Sequence, residues 1–94
     1  MRRNRRKTAR DCALHFSVRC AERLGRSLDQ KELKAALADG RLKSLGRQSN
    51  TRTFFALPED MGGPAVLVYD RPRSSFVTVL TVEMYNASWG EWRR

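Results

Sequence analysis

The stretch AVLVYDRPRSSFVTVL, residues 65–80, holds two runs of β-branched and aromatic residues on either side of a short polar segment. Residues 65–69 form a continuous apolar run, which is typical of a buried strand. Residues 70–73, Asp-Arg-Pro-Arg, interrupt it with turn-forming side chains. Residues 75–85 resume strand character. Because so short a turn joins only antiparallel strands, the stretch predicts a β-hairpin.

Two more strands are predicted upstream of this hairpin, over residues 42–49 and 51–57, with a turn near Ser49 and Asn50. A loop over residues 58–64 leads into the hairpin, so the four strands form an antiparallel meander. Strict alternation in the last strand divides its side chains between two faces. We expect Val77 and Val79 to face the helices and Thr78 to face the open side of the sheet.

Two helices are predicted before the sheet. The first runs from Thr8 or Ala9 to Leu24 and ends at Gly25, a left-handed cap. Its apolar stripe is expected at Leu14, Val18 and Ala21. The second opens with a capping box, Ser27-Leu28-Asp29-Gln30, carries Leu33, Ala36 and Leu37, and ends at Asp39-Gly40.

This order of elements predicts an α+β fold in which an N-terminal helical hairpin packs on a four-stranded antiparallel sheet. The chain has 94 residues, which suits one small domain. We assign residues 1–10 to a basic N-terminal arm, expected to be disordered in isolation, and residues 11–85 to the domain. Residues 86–94 form a C-terminal tail with Trp89 and Trp92, which are expected to dock on the sheet rather than stack on bases.

The net charge of +9 and the isoelectric point of about 10.8 indicate a polyanionic partner. Six of the 19 basic residues lie in the first ten positions, where there is no acid. These candidate nucleic-acid-binding residues are Arg2, Arg3, Arg5, Arg6, Lys7 and Arg10. The remaining body carries 13 basic and 10 acidic residues, so most of the excess charge belongs to the arm.

Cysteine and histidine usage argues against a disulfide or a zinc site. Cys12 and Cys20 lie about 12 Å apart along one predicted helix, beyond the reach of a disulfide. The chain has a single histidine and no CxxC pair, so no cofactor or metal is expected. Free thiols are typical of the cytoplasm, and no stretch predicts a membrane span or a signal peptide.

The first helix carries His15, Arg19 and Arg23 at positions i, i+4 and i+8. Side chains four apart are neighbours on a helix, so one imidazole and two guanidiniums share a stripe. Histidine titrates near neutrality and can move protons, whereas arginine stays charged and binds phosphate in a bidentate fork. Such a stripe is what metal-free cleavage of RNA requires.

These motifs resemble small ribonuclease toxins of the barnase, EndoU, colicin and RelE fold group. The resemblance covers about residues 11–82. It rests on four segments: H-x-x-x-R-x-x-x-R-x-G from His15, the run from Arg47 to Arg52, Val68-Tyr69-Asp70, and Phe76-Val77-Thr78-Val79-Leu80.

The resemblance implies a metal-independent endoribonuclease built on two helices and a four-stranded antiparallel sheet. His15 would transfer protons, Arg19 and Arg52 would hold phosphate, and Thr78 would supply a hydroxyl from the sheet. Arg23, Arg47 and Asn50 would add contacts to RNA. Tyr69 and Asp70 are weaker candidates for a second acid–base group. An acidic protein partner of the antitoxin kind is also implied.

Each of these residues also has an ordinary structural interpretation. Arg19 and Arg23 could be solvated or paired with Glu22 or Asp11, Arg52 could protect a strand edge, and Thr78 could be there because threonine favours strands. Two alternatives to an enzyme therefore stay open. One is a non-catalytic interaction module, such as a small phage-encoded regulator, that binds nucleic acid or an acidic host protein. The other is a component of a ribonucleoprotein particle.

Overall fold

A computed structural model describes the backbone of residues 9–89 and the side chains of residues 14–89. It has the predicted α+β architecture, two N-terminal helices followed by a four-stranded antiparallel sheet, and it adds a short C-terminal helix. The elements in chain order are α1 (Ala9–Leu24), α2 (Gln30–Ala38), β1 (Lys43–Arg47), β2 (Arg52–Leu57), a 3-10 turn (Glu59–Met61), β3 (Ala65–Asp70), β4 (Ser75–Leu80) and α3 (Val82–Ser88).

The sheet is a simple meander in the order β1-β2-β3-β4, with every neighbouring pair antiparallel. The predicted turns lie where expected, at residues 48–51 and 71–74. The central strand β3 is buried at five of its six positions, as its unbroken apolar run predicts.

Both helices of the N-terminal hairpin contribute to a core on one face of the sheet. The fully buried members of this core come from α1, α2 and all four strands or their flanks. They are Phe16, Cys20, Leu33, Ala36, Leu42, Leu57, Ala65, Leu67, Phe76 and Val79. A tilted pair of rings, Phe16 and Phe76, joins α1 to β4 with centroids 6.2 Å apart.

The buried face of α1 differs from the expected one. Leu14 and Val18 are 66% and 45% exposed, whereas Phe16 and Cys20 are completely buried. Both sets recur at helical spacing, so periodicity alone does not choose between them. The structure buries the set with the large Phe16 ring, because this ring fits against Phe76.

The helix caps agree with expectation except at the start of α2. Gly25 and Gly40 adopt positive φ values of 72° and 77°, as left-handed caps should. The N-cap of α2 is Asp29, whose side chain accepts a hydrogen bond from the Lys31 amide at 2.9 Å. The expected cap, Ser27, lies two residues earlier, and a carboxylate is at least as good an N-cap as a serine hydroxyl.

The predicted long last strand is wrong beyond Leu80. Thr81 caps a new helix, α3, by accepting a hydrogen bond from the Met84 amide at 3.1 Å. The β-branched pair Thr81-Val82 extends the strand pattern, but a threonine at an N-cap starts a helix equally well. The tail assigned to residues 86–94 therefore begins inside α3, and residues 90–94, Trp92 among them, lie outside the described part of the chain.

The second face of the sheet is apolar too, and α3 covers part of it. Its core consists of Phe54, Val66, Val68, Val77 and Tyr85, with Leu45 and Leu80 at the border. Val77 was expected on the helix-hairpin face, and this is wrong. A bulge between β3 and β4 shifts the register between Val68 and Tyr69, so strict alternation fails there and Val77 faces α3. Val79 does face the helical hairpin of α1 and α2, as predicted.

Candidate nucleic-acid interface

The turns at residues 48–51 and 71–74 lie at the same end of the sheet, because a meander returns to that end after every second strand. We call this the turn end. A backbone hydrogen bond from the Arg71 amide to the Thr51 carbonyl, 2.9 Å long, ties the two turns together. The turn end is therefore one surface rather than two separate loops.

Asp70 is the organising residue of the turn end. It is the last residue of β3, is only 2% exposed, and pairs in register with Arg52 of β2. Its Oδ2 accepts from Arg52 Nε and from Arg73 Nη1, each at 3.1 Å, and its Oδ1 accepts from the Arg73 amide at 3.1 Å. Arg52 Nε and Arg73 Nη1 bind the same oxygen, so these two nitrogens are at most about 6 Å apart, twice a hydrogen-bond length of about 3 Å. A buried carboxylate thus holds two guanidiniums side by side.

Burial raises the pKa of Asp70, but the hydrogen bonds and charges of Arg52 and Arg73 outweigh it, so the pKa lies below its usual value. The carboxylate is therefore ionised at neutral pH, and both guanidiniums are fixed by it. The two arginine side chains remain 40% and 35% exposed. Of the described contacts of Arg52, only Nε reaches Asp70, which leaves its two Nη groups to bind a ligand.

The turn end is strongly basic. Segments 47–52 and 70–73 together contain four arginines and a single acid, Asp70. The flanking pair, Arg47 and Arg71, is exposed. Because the only carboxylate of these segments is buried and already shared by two cations, the surface presents positive charge to solvent.

Helix α1 begins at the turn end. Its Phe16 packs on Phe76 near the start of β4, and its Arg23 reaches Val79 near the end of β4, so helix and strand run in the same direction. Helix α1 therefore begins at the basic end of the sheet. Ala9 and Arg10 belong to α1, whereas Arg2, Arg3, Arg5, Arg6 and Lys7 lie outside the described residues.

The arginines of the α1 stripe have partners within the fold. Arg19 pairs with Glu22 at 2.8 Å, one of the ordinary interpretations of its charge. Arg23 donates from Nη1 to the Val79 carbonyl at 2.7 Å and to the Thr78 hydroxyl at 3.4 Å. His15 is half-buried on the same flank of the helix and also interacts with the protein.

Arg23 and Gln30 together close the outer edge of β4. The Gln30 side-chain amide donates to the Phe76 carbonyl at 2.7 Å and accepts from the Phe76 amide at 3.2 Å, as a neighbouring strand would. The Arg23 guanidinium satisfies the Val79 carbonyl further along. Covering the backbone groups of an edge strand protects it from pairing with another chain, so both side chains have a clear structural role.

The structure brings together some of the predicted site residues and separates others. Thr78 meets the α1 stripe through Arg23. Arg52 lies on β2, two strands away from Thr78 on β4, and their backbone positions are about 12 Å apart. The described contact of Arg52 is with Asp70. Arg47 and Asn50 lie at the turn end with Arg52.

Two members of the turn-end group, Arg71 and Arg73, were not among the predicted residues, and Asp70 was only a weak candidate. A signal was present in the sequence. An acid that ends a buried strand needs a partner, and arginines at two following positions of a tight turn can supply one. The register that places Arg52 opposite Asp70 is a tertiary feature that the turn lengths alone do not give.

Other chemically notable groups are inert or absent in the described part of the chain. Burial raises the pKa of the Cys20 thiol to about 11, against a smaller opposing effect of a backbone hydrogen bond from Leu28. Among the described residues, no group of three His, Cys, Asp or Glu side chains could hold a metal ion. None of the described helices is long and apolar enough to cross a membrane.

Comparison with protein-family models, with curated proteins and with solved structures finds no match to this chain. The fold and the turn end therefore have to be interpreted from their own geometry.

Proposed function

We propose that this chain is a small RNA-binding protein that contacts phosphate groups with its turn end. The observation that carries the proposal is the pair Arg52 and Arg73, held side by side on the buried carboxylate of Asp70. Two fixed guanidiniums with unused donors suit a phosphodiester, whose oxygens accept paired hydrogen bonds from such groups.

Preorganisation is the main physical support for this assignment. An arginine in solution loses side-chain conformational entropy when it binds phosphate, a cost of about 0.5–1.5 kcal/mol per immobilised side chain. Asp70 fixes both arginines in advance, so this part of the cost is met on folding. The flanking Arg47 and Arg71, together with the arm, add the general attraction that backbone binding needs.

The test is a binding titration with a fluorescently labelled RNA oligonucleotide. Arg52→Gln should weaken binding and reduce the salt dependence of affinity by about one counterion. Glutamine keeps a donor for Asp70, which limits the effect on folding. The matched control is Arg41→Gln, which removes the same charge from an exposed arginine that also pairs with an aspartate, Asp39, at 3.4 Å.

Equal affinities for Arg52→Gln, Arg41→Gln and the parent protein would contradict the proposal, provided that thermal melts show all three folded. Equal losses in both variants would also contradict it, since they would indicate a response to net charge without a defined site. DNA of the same sequence should be titrated in parallel to test the preference for RNA.

A second candidate function is metal-independent cleavage of RNA, and one contact favours it. Arg23 links the His15 stripe to the Thr78 hydroxyl, so a helix cation and a strand hydroxyl meet beside β4. In this hypothesis His15 removes the proton of the substrate 2′-hydroxyl as a base, or donates a proton to the leaving 5′-oxygen as an acid. Products with a 2′,3′-cyclic phosphate, formed in the presence of EDTA, would support it.

A further inference from the structure

Trp89 is an exposed aromatic residue that the fold holds in place. It follows α3 as its C-cap, and its backbone amide donates to the Tyr85 carbonyl at 2.7 Å. Its ring meets the Phe54 ring edge-on, with centroids 5.1 Å apart and an interplanar angle of 61°. Trp89 nevertheless remains 47% exposed, so the expectation that it docks as core is met on only part of its surface.

Trp89 lies over the same face of the sheet as the Arg52 and Asp70 pair. Phe54 and Arg52 are two residues apart on β2, and side chains two apart share a face. Their backbone positions are thus separated by about 6.6 Å. Because Trp89 packs on Phe54, an exposed indole lies on the same face of the sheet as the guanidinium pair, over the residue that follows Arg52 on that face.

We propose that Trp89 stacks on an unpaired base of bound RNA while Arg52 and Arg73 hold a phosphate of the same strand. This inference rests on the proposed RNA-binding function and adds the class of RNA. Stacking on a protein ring needs a base whose face is free, and duplex bases already cover both faces. The site therefore selects single-stranded over double-stranded RNA.

The other aromatic group close to the turn end is less suited to this task. Tyr69 contacts two rings edge-on, with centroids 6.3 Å from Phe55 and 4.9 Å from Phe76. It packs against the core between the two N-terminal helices and the sheet. Trp89 meets the single ring of Phe54 edge-on and keeps 47% of its surface exposed, so part of the indole is open to a base. Tryptophan also offers the largest ring for a base.

The experiment uses tryptophan fluorescence, because the chain has only two tryptophans. In a Trp92→Phe background, the emission of Trp89 should be quenched by a single-stranded RNA and much less by a duplex of the same sequence. Affinity for the single strand should exceed that for the duplex. Trp89→Leu should weaken single-strand binding about 5- to 150-fold, the effect of losing one stacked base, and leave duplex binding unchanged.

The outcomes separate this inference from the function on which it rests. If RNA binds and Arg52→Gln weakens it, but Trp89 is not quenched and single strand and duplex bind equally, the stacking inference is overturned and the proposed function stands. If no RNA binds, both are overturned. If the Trp89→Leu variant does not fold, the Trp89→Phe variant is used in its place. Its smaller ring should lower the affinity for single-stranded RNA by less than the complete loss of the stacked base would. The quenching measurement needs no change at Trp89 and decides in either case.

Discussion

The two groups of arginines in this molecule, on α1 and at the turn end, have the same chemistry and different surroundings. Arg23 on α1 donates to a backbone carbonyl and a threonine hydroxyl, both neutral groups of the edge strand β4. Arg52 and Arg73 at the turn end share one buried carboxylate. Whether an arginine is available for a ligand therefore depends on the group that accepts its hydrogen bonds, and not on its spacing in the sequence.

The difference lies in what each arginine is bonded to. On α1, Arg23 donates to neutral acceptors at the edge of β4, and Arg19 pairs one-to-one with Glu22, so neither shares a carboxylate with a second cation. At the turn end, two cations share one anion, and a net positive charge remains. A phosphate would neutralise the excess charge of the turn-end arginines, whereas at α1 it would compete with the hydrogen bonds that Arg19 and Arg23 already make.

The largest expected effect is on the rate of RNA cleavage, and it tests whether the surface around His15 on α1 is functional as well as the turn end. If the α1 flank is catalytic, His15→Ala should reduce the rate of RNA cleavage by about 10²–10⁴-fold, the usual cost of losing a general acid or base. RNA affinity should stay the same because the turn end is untouched. The measurement is the rate of product formation on a sequencing gel with EDTA present.

Absence of cleavage in the parent protein, or equal cleavage by His15→Ala, would remove catalysis from the α1 flank. The turn end would then be the single functional surface of the account, and the non-catalytic alternative would be preferred. Leu14→Ala is the matched control, since it changes the exposed neighbour of His15 on α1 without removing the imidazole or an arginine.

The next effect concerns the organising carboxylate. Asp70→Asn should lower the free energy of unfolding at neutral pH by about 1–2 kcal/mol. This lies toward the low end for hydrogen bonds to charged groups, because both guanidiniums are more than a third exposed and are screened by solvent. Chemical denaturation at pH 7 measures it.

The same carboxylate gives a pH dependence with a defined sign. The folded pKa of Asp70 lies below its unfolded value, which is about 3.9. Its contribution to stability is therefore complete above that pH and is lost as the pH falls through the lowered folded pKa. Asp70→Asn should be less sensitive to acid than the parent below about pH 4, and identical acid profiles would contradict the ion-pair assignment.

The smallest effect concerns the edge of β4. Arg23→Ala should lower the free energy of unfolding by about 1 kcal/mol, the value of one hydrogen bond, because the Val79 carbonyl loses its partner and water replaces it in part. RNA affinity should change little. A large loss of affinity in a fully folded Arg23→Ala variant would mean that the α1 arginines bind RNA and that the contrast between the two groups is wrong.

The sequence predicted the order and class of the elements well because those depend on local patterns. The apolar run of β3, the two short turns and the glycines after α1 and α2 each act within a few residues. The buried face of α1 was not predictable, because Leu14 and Phe16 belong to two equally periodic stripes. The choice between them depends on the fit of one ring against Phe76.

The candidate site was harder to predict than the fold because it depends on register and irregularity. The alignment of Arg52 with Asp70 fixes the arginine pair, and the bulge in β4 moves Val77 to the α3 face; neither follows from alternation. Helix α3 was missed because Thr81 and Val82 fit a strand as well as a helix start. Trp89 owes its position to that helix.

The most direct test of the contrast between the two arginine groups is a salt titration of RNA affinity for two double variants of equal charge. Arg52→Gln with Arg73→Gln removes the turn-end pair, and Arg19→Gln with Arg23→Gln removes the α1 pair. With single-stranded RNA, the account predicts that the slope of log affinity against log salt falls by about 0.7 for each lost phosphate contact, hence about 1.4, in the turn-end variant alone. Equal slopes in the two variants, or a larger change in the α1 variant, would contradict it.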